Sequence, residues 1–196
     1  MAEATTTTTT NVTFGSPRVK GVFYTAPYGT ALPTDATTEL TAEWSNNGYV
    51  SKDGIKNAPD MNTSSIEEMG GTTILTALTG YSETYQFTLL EVMRATAANT
   101  AYGSGAASAD ESGNLTITHA MPTGKFSAVI DLQLNGGRMA RIVIPSAVVS
   151  KLGDRTISGT AEMGYDVTVT ANAYADYATS DGRIGTSREF IAALAA

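Results

Sequence analysis

The chain has 196 residues, with 12 Lys and Arg against 19 Asp and Glu for a net charge of −7, no Cys, one His and one Trp. Disulfides and thiolate metal sites are excluded, a His-based triad or metal cluster has almost no material, and an acidic chain without basic blocks does not grip phosphate backbones. Large aliphatics and Phe together number 37 against 31 Thr and 28 Ala, which reads as a folded β protein whose modest core needs neighbours to finish its burial.

Residues 1–13 form a Thr-rich stretch, with Thr5 to Thr10 consecutive, expected as a flexible N-terminal arm ahead of one domain over residues 14–196. Met1 to Phe14 shows neither a basic start nor an apolar stretch, so no signal peptide is expected. Arg18 to Ala26 reads as a strand covered on both faces. Leu40 and Trp44, four apart, suit a short amphipathic helix in the following connection. Gly48 to Ile55, Asp60 to Met69, Thr72 to Leu78 and Glu83 to Leu90 read as strands, with Gly70-Gly71 as a break.

From Leu89 the period shifts to three and four: Leu89, Val92, Met93, Thr96 and Ala97 predict a helix over residues 89–102, stopped at Gly103. Residues 103–113 are small and polar and predict a loop. Leu115, Ile117 and Met121 alternate with Thr116, Thr118 and Ala120, and Phe126, Ala128, Ile130, Leu132 and Leu134 with Ser127, Val129, Asp131 and Gln133. Asn135-Gly136-Gly137 predicts a hairpin turn into a return strand over Ala140 to Ile144, ended by Pro145. Ser146 to Gly153 suits a turn of helix, and Thr156 to Ala161 and Tyr165 to Tyr174 two further strands. At Thr186-x-x-Glu189 a helix capping box and a terminal strand are both open. The longest apolar run, Phe190 to Ala196, is far short of a membrane span. The simplest architecture is one antiparallel β domain with a flanking helix.

No catalytic, cofactor or metal residues are expected. His119 shares strand parity with Leu115 and Ile117, so it is expected packed on a half-buried face rather than ligating a metal. Glu67 and Glu68 are adjacent and face opposite sides of a strand, a poor acid–base pair. The charge distribution is more informative. Residues 31–91 hold nine acids and two bases, an excess of seven that equals the whole net charge. Such a face either keeps the protein in solution or repels a polyanion.

Three segments carry a resemblance. They are Arg18-Val-Lys-Gly-Val-Phe-Tyr-Thr-Ala-Pro27, Gly29-Thr-Ala-Leu-Pro-Thr-Asp-Ala-Thr-Thr38 and Gly48-Tyr-Val-Ser-Lys-Asp-Gly-Ile55. Together they resemble the major tail (tail tube) proteins of long non-contractile-tailed bacteriophages, most closely those of actinobacterial phages, over about Arg18 to Ala175. One departure is Met69, where the family's pattern places an aromatic before Gly70-Gly71.

The resemblance implies a β-sandwich or half-barrel with one flanking helix, which completes a continuous β-barrel tube on oligomerisation. It implies homo-hexameric rings that stack into a hollow tube conducting the genome, with tape measure and tail terminator or tip proteins as partners. The protein would assemble in the bacterial cytoplasm and reside in the virion. It would be no enzyme, and viral DNA would pass through without specific binding. It also favours a strand at Arg188–Ile191. Some of Asp53, Asp60, Glu67 and Glu68 are expected to line an acidic lumen. Two other classes stay open: a β-sandwich binding module, carbohydrate-binding or adhesin-like, and a small hydrolase on a β scaffold.

Overall fold

The computed structural model describes residues 12–193 except Val19; most of the expected N-terminal arm and the last three residues of the apolar C-terminal run lie outside the described residues. The protein is mainly β with one α-helix. Its principal sheet runs β3 (Ser45–Asn46), β2 (Phe23–Pro27), β8 (Phe126–Leu134), β9 (Arg138–Leu152), β10 (Tyr165–Ala171), β5 (Thr73–Leu89) and β4 (Lys56–Glu67). β1 (Gly15–Pro17) extends the β2 edge of β8, and β11 (Arg188–Ala193) extends the β10 edge of β9. All these pairings are antiparallel.

The sheet curls. Alternation along β10 and the end of β5 sends Tyr165, Val167, Val169, Tyr85, Phe87 and Leu89 to one face, where all are buried. Phe23 of β2 meets Phe87 of β5 ring to ring, with centroids 4.3 Å apart. Three strands lie between these two in the sheet, so a flat sheet would hold them roughly 19 Å apart. The segment after β3 then closes the mouth: Asn47 N–H donates to the Phe23 carbonyl, and Ser51 N–H to that of Thr88. This is a half-barrel nearly shut on itself.

Helix α1 (Ala95–Tyr102) plugs the concave face through Ala97, Ala98 and Ala101, whose small side chains allow close approach. It starts six residues later than the periodicity predicts, because Leu89 still belongs to β5 and residues 91–94 form a turn. The expected loop at residues 103–113 contains β6 (Ala107–Ala109), paired with β7 (Leu115–Ile117). The Asn99 side chain clamps Ala107 at both its N–H and its carbonyl, which holds that strand to the helix.

The convex face carries a second cluster of Ala26, Trp44, Val129, Val143 and Tyr177. The helix expected around Leu40 and Trp44 is a single turn, closed by Trp44 N–H to the Thr41 carbonyl. Arg141 takes the carbonyls of Asp35 and Thr38 with Nη1, at 3.0 and 2.8 Å, and Asp35 caps the amides of Thr37 and Thr38. Those groups are spent on a side-chain-stapled turn rather than on a helix. Arg141 also grips Asp131 bidentately at 2.7 and 2.9 Å, and Arg18 adds a third bond to the same carboxylate.

Several strand expectations are corrected. Gly48 to Ile55 is a turn with one bridge, Val50 to Leu89. Gly21 N–H donates back to the Arg18 carbonyl, and β2 begins only at Phe23. Pro145 does not end β9, and Ser146 to Leu152 is strand rather than helix. Pairing with β8 shifts register there, and Ser127 Oγ donates to the Pro145 carbonyl at 2.8 Å. A bulge is a place where a strand tolerates Pro. Thr156 to Ala161 is irregular, because Ser158 Oγ accepts the amides of Thr160 and Ala161. The capping box at Thr186 does not form; Thr186 lies ahead of strand β11 and its hydroxyl is used elsewhere.

Candidate assembly surface

β4 and β5 form one long ribbon. β5 leans on β10 only from Glu83 onward; residues 73–82 are paired with β4 alone. The ribbon therefore leaves the sheet at Glu83 and runs free to the turn at residues 68–71. Every described residue of β4 is exposed. The sequence segments Asp60–Met69, Thr72–Leu78 and Glu83–Leu90 read as separate strands; the last two are one strand with Gly80 inside it.

Apolar side chains crowd this ribbon without cover. Met69 is 104% exposed and Leu78 73%, with Met61, Ile66, Ile74, Leu75 and Tyr81 all more than half exposed. The register assigns their faces. Met61 opposite Tyr81 and Thr63 opposite Leu78 share one face; Ile66 opposite Leu75 and Ser64 opposite Ala77 share the other. Grease on both faces of a two-stranded ribbon calls for cover on both sides. Its backbone edges are unpaired as well, as is the outer edge of β11 among the described residues. Sequence reasoning missed these residues, since an alternating strand looks the same inside a sheet and beyond it.

The four acidic residues are all exposed. Asp53 lies in the turn before β4, Asp60 and Glu67 on β4, and Glu68 in the ribbon's end turn. Asp60 and Glu67 differ in parity and so occupy opposite faces, about 23 Å apart along the strand. They do not form one patch within a single copy. His119 is exposed beyond the end of β7, and its ring stacks on Tyr102 at 4.4 Å, so its partner is an aromatic face rather than a strand face.

At the ribbon's base the Glu83 carboxylate is buried. Burial pushes its pKa up, but hydrogen bonds from Thr186, Asn57, Tyr85 and Ser187 outweigh that and hold it below the usual glutamate value. Burial raises the pKa of Tyr85.

A cleft of about 370 Å³ lies between α1 and the segment before β8. Pro27, Tyr28, Pro122 and Phe126 line it with Thr and Asn side chains and Lys125. Its lining holds neither carboxylate nor imidazole, so it offers no acid–base pair. Among the described residues no group of three His, Asp or Glu is placed to hold a metal, and no helix is long and apolar enough to cross a membrane.

A family model described as phage tail tube protein matches residues 18–181. The chain belongs to that family. A search of curated proteins gives no match. Tail tube proteins are structural components of the virion's tail and assemble with copies of themselves, which agrees with a ribbon built to be covered. The family points to a structural protein rather than an enzyme.

Proposed function

We propose that six copies close into a ring, and that rings stack into a hollow tube conducting the viral genome into the host. Residues 14–196 act as one tail-tube domain in that ring, with residues 1–13 as an arm. The observation that carries this reading is the uncovered β4–β5 ribbon, apolar on both faces and free at both edges. Ribbons and open strand edges of neighbouring copies extend the half-barrel into a continuous barrel around the bore. Ring closure needs one head-to-tail contact, and stacking needs a second that propagates.

An acidic wall suits such a bore, because phosphate binding requires cation contacts and counterion release. Asp53, Asp60, Glu67 and Glu68 are the candidates, and the opposed faces of Asp60 and Glu67 mean that a subset of the four meets the DNA. Assembly takes place in the host cytoplasm, around a tape measure protein and under terminator and tip proteins.

Electron microscopy of the purified protein tests the reading. Rings or tubes are expected, and Ile66→Asp with Leu78→Asp should leave folded subunits that no longer assemble. A parent protein that stays monomeric at millimolar concentration would falsify it.

A further inference from the structure

Glu83 occupies an odd place for an anion. It belongs to the stripe of β5 that continues as Tyr85, Phe87 and Leu89, all facing the core. It is 7% exposed, and none of the ion pairs among the described residues includes it. Four uncharged donors surround it instead. Asn57 Nδ2 of β4 donates to Oε1 at 2.7 Å, and Tyr85 Oη to the same oxygen at 2.9 Å. Thr186 Oγ1 and Ser187 Oγ, just ahead of β11, donate to Oε2 at 2.5 and 2.9 Å.

Its position in the register is equally particular. Glu83 faces Ala171, the last residue of β10, on one side and Pro59 of β4 on the other. One residue further toward the tip, Ser82 has only its β4 partner. Glu83 is thus the last rung of three-stranded sheet before the ribbon runs free.

Desolvating a carboxylate is costly, and an aliphatic residue at this point would complete the core stripe at no such cost. What an aliphatic residue would not supply is direction. Hydrogen bonds to a carboxylate weaken steeply as distance and angle change, whereas apolar contacts slide. Swinging the ribbon about its base moves Glu83 against Thr186 and Ser187, which belong to a different part of the chain.

We propose that Glu83 is a positioning residue: its carboxylate, bridging β4 to the segment that opens β11, fixes the angle at which the ribbon leaves the sheet. The bearing on tube assembly rests on the function proposed above, since a ribbon held at one angle meets the same surface on every neighbour. The fixed angle itself is a property of the single subunit.

The test uses spin labels on unassembled full-length protein. The chain has no Cys, so Met69→Cys at the ribbon's end and Lys151→Cys on β9 give one clean pair. Pulsed electron paramagnetic resonance should read one narrow distance peak in the labelled parent. That peak should be lost to a broad distribution in Glu83→Leu, read at a temperature where circular dichroism shows the variant still folded. Thr186→Val with Ser187→Ala leaves the acid in place, removes the β11-side donors, and should broaden the peak likewise. A peak equally narrow in both variants, or already broad in the parent, overturns the proposal. Because the measurement is made on single subunits, its result stands apart from whether tubes form.

Discussion

Phe23 and Phe87 touch at 4.3 Å across the mouth of the curled sheet, the point where its two margins meet in the core. Both rings are essentially inaccessible to water. Phe87→Ala is expected to cost about 3–5 kcal/mol, and Phe23→Ala a similar amount. Since each ring is part of the other's packing, the double substitution should cost less than the two single ones added. Urea unfolding of the four proteins measures this.

The Asp131–Arg141 pair holds the connection before β3 against the convex face. Arg141→Met leaves the buried Asp131 carboxylate with Arg18 alone and frees the carbonyls of Asp35 and Thr38. A loss of about 3–5 kcal/mol is expected, and Asp131→Leu together with Arg141→Met should recover much of it. Trp44, the chain's one tryptophan, reports on the same connection. Its emission should shift to the red in Arg141→Met before the global unfolding transition.

Much of this architecture was legible in the residues. Asn135-Gly136-Gly137 announced the β8–β9 hairpin, and both glycines have positive φ, at 70° and 71°. The antiparallel β domain with one flanking helix followed from the order of elements, and the structure has both. What stayed hidden depended on partners distant in sequence. Pro145 looked like a stop because the bulge that admits it is made with Ser127. Leu40 and Trp44 looked helical because nothing nearby reveals that Arg141 will claim two carbonyls. Thr72–Leu78 and Glu83–Leu90 read as two strands, yet β5 runs through both and through Gly80, with a register shift beside Asn62. The free ribbon was hidden for a related reason: a strand does not encode how many of its neighbours exist.

Acid should weaken the fold through carboxylates held below their ordinary pKa. The Thr38 hydroxyl and the amides of Thr38 and Thr37 lower Asp35; for Glu83, four hydrogen bonds outweigh the effect of burial. A depressed folded-state value means that the unfolded chain binds the proton more readily. The stabilisation is therefore complete above the ordinary glutamate value of 4.5 and is lost as pH falls below it. Urea midpoints at pH 7, 5, 4 and 3 should fall only in the acid range, on the order of the linkage expected for such groups. Glu83→Gln should flatten that fall.

Gly48 guards the closure of the half-barrel. Its φ is +84°, and a Cβ there would lie 2.4 Å from the Glu91 carboxylate. That carboxylate accepts the Tyr49 N–H at 3.0 Å and pairs with Arg94. Gly48→Ala should cost about 1–3 kcal/mol, and amides 47–51 should exchange faster with solvent. Gly54→Ala shares the positive φ but has open space around it, so backbone strain alone should make it the milder change.

The proposed acidic bore predicts a response to charge reversal. Asp60→Lys, Glu67→Lys and Glu68→Lys together change the charge by six, from −7 to −1, all on the ribbon. The parent should leave duplex mobility unchanged in low salt, while the triple variant should retard it, with an effect that vanishes as salt rises. Retardation by the parent would remove the acidic-bore idea.

The reach of Glu83 across the sequence also sets a clock. Ser187 follows it by 104 residues. At ribosomal speeds of about 5–20 residues per second, the ribbon emerges roughly 5 to 20 s before the hydroxyls that anchor its base. During that interval a nascent chain carries its stickiest part unmoored, next to other nascent chains on the same message. Translation pace across the second half is therefore a variable in how cleanly this protein is made, and slow codons there should raise the share lost to tangling.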